Sequence, residues 1–275
     1  MRFFSLYAIF FKQQIKKLLE YKQDFIIGVL SVFIQQIGMI LTTLVIFTQL
    51  ESLAGFDIYE IFLFYGFYIF VKGIDHFYND NIWMFGWAMV RDGSFISILL
   101  RPINPILHII MQRFDVTGFA EMIAGIFIIG FCQYHIGFSL GLIGSLQVLL
   151  VLICALAVYF SVKLLFSASA FWFASSGSLM TVAYETSNVA RYPLDLFKNK
   201  LVQTILLFVL PFPISSYFPA LLCLGKTEYF GNLIGWENAS SVTLVIYCVI
   251  ATSALLIVSL SVWYAGLRKY EPTGT

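Results

Sequence analysis

Residues 87–106 read WAMVRDGSFISILLRPINPI, the one long polar-punctuated interruption between strongly apolar blocks. The segment follows an apolar run ending in the polar cluster Lys72, Asp75, His76, Asn79, Asp80 and Asn81, and it leads straight into another apolar run. That position reads as a loop at a membrane surface where something docks. Asp92-Gly93 is a turn signal. Arg101-Pro102 and Asn104-Pro105 oppose helix between Leu100 and Asn104, because proline fixes φ and restricts the residue before it. Two short helical pieces separated by a turn are expected. Arg91 and Asp92 offer charges to a cytoplasmic partner, Gly93 allows the turn, Phe95, Ile98 and Leu99 offer an apolar face, and Arg101-Pro102 returns the chain to the next span.

Hydrophobic residues make up 60% of the 275-residue chain and charged residues 11%, against about 25% charged in soluble domains. The expected class is an all-α polytopic membrane protein. A net charge of +1 gives no signal for nucleic acid or an acidic partner. Cys132, Cys154, Cys223 and Cys248 sit in apolar surroundings without metal-ligand spacing and read as small hydrophobes.

A span needs about 20 mostly apolar residues. Six stretches qualify: Phe25 to Phe47, Ile58 to Gly73, Ile106 to Phe131, Leu140 to Phe166, Phe171 to Tyr184 and Val242 to Leu267. Only a Ser-rich turn separates the fourth from the fifth, and a five-span reading stays open. Residues 1–23 show no cleavage pattern. Their apolar side chains recur at three- and four-residue steps among lysines, as in an amphipathic helix lying on the bilayer surface or in the start of the first span. Between the fifth and sixth spans, Pro211, Pro213 and Pro219 break any straight helix. Backbone groups freed in that way need protein partners, so Leu201 to Leu224 is expected to be a re-entrant pair of short helices, with a proline-kinked span as the alternative.

Lysine and arginine placement sets orientation. With the amino terminus inside, Arg2, Lys12, Lys16, Lys17, Lys22, Lys72, Arg91, Arg101, Arg113, Lys163, Arg268 and Lys269 fall on the inner side. Arg191, Lys198, Lys200 and Lys226 fall outside. Both termini, and the 87–106 loop, are then cytoplasmic in a multi-pass protein of the cell membrane.

The 87–106 segment resembles the coupling region of ATP-binding-cassette type 2 exporter permeases, in the subgroup that runs hydrophobic-Arg-small-Gly and then Leu-Leu-Arg-Pro-hydrophobic-Asn-Pro. Ala190-Arg191-Tyr192-Pro193-Leu194, Val209-Leu210-Pro211-Phe212 and Tyr217-Phe218-Pro219-Ala220 are similar to the same subgroup's signature after its fifth span, in the right order. The resemblance extends over nearly the whole chain. It implies a cytoplasmic coupling helix between spans 2 and 3 within a loop over 79–105, containing Arg91, Asp92, Gly93, Phe95, Ile98, Leu99, Arg101 and Pro102. It implies outer re-entrant helices over 191–225, containing Tyr192, Pro193, Pro211, Pro213 and Pro219. It implies a cytoplasmic ATPase subunit dimer that binds ATP and magnesium, so that the chain needs no cofactor of its own. It also implies a second permease subunit, favoured as a related heterodimer partner.

The chain carries no GxxxxGK[ST] and no catalytic constellation: His76, His108 and His135 are far apart, and Ser176-Gly177-Ser178 reads as a turn. No metal site is expected. Ionisable residues inside spans are costly and usually functional. Asp115 and Glu121 in the third span and Glu185 in the fifth are the candidates. Asp115 beside Arg113 suits a local pair. Glu121, six residues on and turned by about 120°, argues against a shared carboxylate site and suits a translocation path or a dimer seam. Gly137, Gly141 and Gly144 suit either close helix approach or a flexible helix entry. An amphiphilic cargo is suggested by the aromatic residues from Phe62 to Phe70. The competing class is a motor-independent membrane-embedded enzyme or scaffold, which demands polar residues clustered at one depth. No such cluster is evident in the sequence.

Overall fold

The computed structural model describes residues 22–271 other than 116, 174, 237 and 238, together with Lys12 and Lys16. The interfacial helix expected over 1–23 lies almost wholly outside the described residues. What is described is helical: α1 (Lys22–Phe47), α2 (Ile58–Asn79), α3 (Asn81–Met84), α4 (Phe95–Leu99), α5 (Pro105–Gln112), α6 (Thr117–Ile136), α7 (Leu142–Ala168), α8 (Ala170–Phe173), α9 (Gly177–Asn188), α10 (Lys200–Thr204), α11 (Tyr217–Leu224), α12 (Glu228–Ile234) and α13 (Ser241–Lys269). Among these residues four helices are long and apolar enough to cross a membrane: Ile26–Phe47, Thr117–Ile136, Leu142–Phe173 and Ser241–Lys269.

α2 is long enough to join them, at about 33 Å for its 22 residues, but it carries Glu60, Lys72 and Asp75. It lies at the centre, with Leu63, Phe64, Tyr68 and Val71 fully buried. Glycine lets it approach α6 closely. A Cβ on Gly118 would lie 2.5 Å from the Gly73 carbonyl oxygen, and one on Gly125 2.6 Å from the Phe70 nitrogen. The glycines singled out from the sequence do not serve that purpose, since Gly137 and Gly141 meet nothing within 4 Å. At its start α2 is capped reciprocally: Asp57 accepts from the Glu60 backbone, and Glu60 accepts from the Asp57 backbone.

Three expected boundaries move. The second span, expected to end at Gly73, runs on to Asn79, so the polar cluster from Lys72 continues the helix and is largely buried. The third expected span, Ile106 to Phe131, is divided where Arg113 is extended (φ −148°, ψ 135°): α6 is the helix long enough to cross, and the eight-residue α5 precedes it. Asp115 Oδ1 there accepts from both the backbone N–H and the hydroxyl of Thr117, at 3.0 and 2.7 Å, offering the chain a helix start in place of continuation. Phe171 and Trp172 belong to the end of the fourth span, and the next helix starts at Gly177. Ser176 fixes that break by donating its N–H to the Gly86 carbonyl at 2.7 Å.

The proline-broken segment folds inward. α10 continues as a π turn, Ile205–Val209, then a 3-10 turn, Phe212–Ser215, leads into α11, which Gly225 ends at φ +68°. Pro211, Pro213 and Pro219 are all buried. Pro211 has no N–H for the carbonyl of Leu207, and the Tyr247 hydroxyl donates to that carbonyl instead. The Ser216 hydroxyl donates to the Ala190 carbonyl. The ring of Phe212 meets Tyr159, well inside α7, at 5.3 Å, while beyond α11 Lys226 pairs with Glu60 at the start of α2 (2.7 Å).

α7 and α13 run side by side in the same direction. Gln147 bonds Ser241 near their starts. Near their ends, Phe85, Phe95, Phe171, Trp263 and Tyr270 form one aromatic cluster with centroids 4.6–6.3 Å apart. We call this end the base.

Candidate functional site

α2 presents Tyr65, Tyr68, Lys72, His76 and, at its end, Asp80 in steps of three and four, so these side chains fall on one side at about 100° per residue. α9 and the turn after it answer with Thr181, Tyr184, Asn188 and Arg191. The two stripes meet. Tyr68 donates to Asn188 Oδ1 at 2.7 Å and Lys72 donates to the Tyr184 hydroxyl at 3.1 Å. The Lys72 ammonium lies 4.7 Å from the Tyr184 ring centroid, and the Arg191 guanidinium lies 5.6 Å from that of Tyr68.

Toward the end of α2 the charges are paired. Lys163 of α7 lies 2.7 Å from Asp75 and 3.2 Å from Asp80. His76 Nδ1 lies 2.8 Å from Glu121. Polar residues are therefore clustered at one depth, contrary to the sequence reading.

Three pockets follow this seam toward the base. The first, of about 370 Å³, opens among Gln35, Met39, Tyr65, Lys72, Glu185 and Arg191. The second, of about 350 Å³, is lined by His76, Asp80, Asp115, Glu121, Thr181 and Tyr184. The third, of about 480 Å³, lies among Trp87, Arg91 and the 175–179 turn. Asp115 and Glu121 thus face one pocket. A turn of about 120° would separate them only on a continuous helix, and the helix begins only at Thr117. Glu185 sits at the rim of the first pocket, where its carboxylate accepts from Asn188. Among the described residues no group of His, Cys, Asp and Glu is placed to hold a metal ion.

The segment from Val90 to Asn104 closes the base. Its turn is where the sequence put it, with Gly93 at φ +74°. Asp92 accepts from the Ser94 N–H (3.0 Å) and hydroxyl (2.7 Å), and these bonds hold its carboxyl below the usual range. Pro105 opens α5 behind the N-cap Asn104, whose side chain also donates to Tyr264 of α13 at 3.3 Å. Arg101 donates to His108 Nε2 at 2.9 Å. Burial, and then the Arg101 charge, lower the pKa of His108.

Phe95 and Ile98, expected to face a partner, point inward with 0% and 2% exposure. The outward apolar side chains are Leu99 and above all Leu100, 81% exposed. Arg91, Asp92, Arg101 and Pro102 are exposed around them.

Sequence reading missed Lys72, His76, Lys163, Tyr184 and Arg191 as parts of one site. The available signal was the seven-residue step from Tyr65 to Lys72 to Asn79, and from Tyr68 to Asp75, which carries the period of α2 into the polar cluster.

A family model described as ABC-2 family transporter protein matches residues 33–274. No curated protein and no solved structure matches the chain.

Proposed function

Because the chain belongs to the ABC-2 family of transporter proteins, a family of multi-pass membrane proteins, we propose that it is the permease subunit of an ATP-driven exporter of amphiphilic molecules. A separate cytoplasmic ATPase dimer, which binds ATP and magnesium, drives it. The observation that carries this reading is the seam between α2 and α9. Lys72, about 21 Å from the start of α2, belongs to a polar groove open along one side of an apolar body. An ammonium at the centre of a span costs about 2.5–3.5 kcal/mol against lipid. The groove therefore faces a water-filled path or a second permease subunit, and a related heterodimer partner supplies its other wall.

The polar cluster at Asp75, Asp80 and Lys163 does not favour the enzyme reading, because those charges satisfy one another. The α9 stretch through Leu196 supplies the fifth span and α13 the sixth, with both termini cytoplasmic. The segment from Lys200 to Leu224 dips from the outer side and returns. At the base, the ATPase seats on Leu99, Leu100 and the charges of Arg91, Asp92 and Arg101. Phe95 and Asn104 pass its movement into α7, α13 and the α2–α9 seam, since Phe95 packs on Phe171 and Trp263. A shift of the path follows only if ATP-bound and ATP-free ATPase favour different arrangements of that base.

Affinity purification of the tagged chain from its native membrane tests this. ATP hydrolysis activity should accompany the wild type. It should be lost from Leu100→Glu, whose side chain is solvent-facing, without a change in thermal stability. ATPase activity retained in full by Leu100→Glu removes the segment as the docking site.

A further inference from the structure

We propose that the cargo bound in the first pocket, between α1, α2 and α9, is an anionic amphiphile whose acidic head is held by Lys72 and Arg191. The inference rests on the permease reading above. Among the described residues, the four ion pairs leave both cations out: no carboxylate lies within 4 Å of Lys72 or Arg191. Lys72 donates to the neutral Tyr184 hydroxyl, and Arg191 Nε donates to the Asn188 carbonyl at 2.8 Å. Both keep further N–H groups for a ligand.

The lining of this pocket contains two cations and one carboxylate, Glu185, which is exposed at the rim and engaged by Asn188. A pocket of about 370 Å³ with surplus positive charge, set in a membrane-spanning body, is short of one anion. The remaining walls combine the apolar and aromatic side chains of Met39, Ile69, Tyr65, Tyr68 and Tyr184 with the uncharged polar side chains of Gln35, Thr42 and Asn188. Carboxylate, sulfate and phosphate heads fit the cations, and a hydrocarbon portion fits the walls. A cationic amphiphile meets Lys72 and Arg191 head-on. This distinguishes the first pocket from the second, where the one basic side chain of the lining, His76, already has a carboxylate partner in Glu121.

The test uses the purified complex of this chain with its ATPase, in nanodiscs of neutral phosphatidylcholine, with binding measured calorimetrically. The probes are dodecyl phosphate and dodecyltrimethylammonium, which share one tail. Dodecyl phosphate should bind about tenfold or more tightly than the cation, as expected for a charge-assisted hydrogen bond against repulsion. Arg191→Gln and Lys72→Gln should each weaken dodecyl phosphate about tenfold, while Glu185→Gln should leave it equal or tighter. Should Lys72→Gln fail to fold, Arg191→Gln and Glu185→Gln still give opposite expectations. Equal affinity for both probes, or dodecyl phosphate binding unchanged by Arg191→Gln, overturns the proposal.

Complete displacement by inorganic phosphate would make this a bare anion site and overturn the amphiphile. Loss of binding in nanodiscs rich in phosphatidylglycerol would make the occupant a bilayer lipid and overturn the cargo. A failed head-group preference in a complex that keeps its ATPase leaves the permease reading standing. Loss of the ATPase association itself would count against that reading instead.

Discussion

Gly118→Ala places a methyl group between the two most intimately packed helices. Its Cβ would lie 2.5 Å from the Gly73 carbonyl oxygen and 2.7 Å from the Phe77 nitrogen, both backbone atoms that no rotamer change can move. α2 must retreat by about 1 Å, enough to forfeit a quarter to a half of each dispersion contact along the seam. Overpacking of this kind costs about 1–3 kcal/mol, and the better helix propensity of alanine returns up to about 1 kcal/mol. The expected net loss is about 1–2 kcal/mol, or roughly 2–8 °C in Tm for a chain of this size. The assay is built into the protein: Cys132, Cys154, Cys223 and Cys248 are all free and buried. A maleimide dye that fluoresces on thiol reaction therefore reports unfolding in mild detergent. Gly38→Ala is the control, because nothing lies within 4 Å of its Cβ, and it should match or exceed wild type. If Gly118→Ala melts with Gly38→Ala, the close approach of α2 and α6 is wrong.

Lys163→Met leaves Asp75, 1% exposed, without its cation and should cost about 3–5 kcal/mol in the same thiol assay. Adding Asp75→Asn and Asp80→Asn should restore much of it. Phe95→Ala removes a fully buried ring from the aromatic cluster and should lower Tm by the equivalent of about 3–5 kcal/mol, while Leu100→Glu leaves Tm unchanged and reduces ATPase association. The reverse pattern would place Phe95 at the surface. Burial, and then the Arg101 charge, hold the pKa of His108 in the folded base below the ordinary 6.5. The unfolded chain binds the proton more readily, so stability is full above 6.5 and is lost as pH falls toward and through the folded value. A pH series of Tm should therefore fall more steeply below 6.5 in wild type than in His108→Gln, and parallel curves would discount this burial.

The turn at Asp92-Gly93 and the helix start at Pro105 were legible because each depends on a residue whose own backbone chemistry decides the outcome. Gly93 takes positive φ, and Pro105 at the first helical position has no N–H to leave unsatisfied. The need of the proline-broken segment for partners was legible too, but Tyr247 as that partner was not, since 40 residues separate it from Leu207. The division of α5 from α6 was hidden because neither glycine nor proline marks residues 113–116, and an Asp115 side chain makes the break. The continuation of the second span beyond Gly73 was hidden for a similar reason. Asp75 and Asp80 are tolerated there through Lys163 of α7, His76 through Glu121 of α6 and Lys72 through Tyr184 of α9, all far away in sequence. Phe95 looked like an apolar anchor for a partner, yet its partners are Phe171, Trp263 and Tyr270 of its own chain.

We propose that a cytoplasmic ATPase, acting through the Val90–Asn104 segment, opens and closes the seam lined by α2 and α9. Glu185, at the rim of the first pocket and exposed, is the position to watch. Glu185→Cys would be labelled with an impermeant thiol reagent from the outer side of vesicles containing the complex, with and without ATP. The native chain serves as the blank, because its four cysteines are buried. ATP should change the labelling rate, and Leu100→Glu should abolish the change. A rate that ignores ATP, or an ATP effect that survives Leu100→Glu, would contradict the proposal.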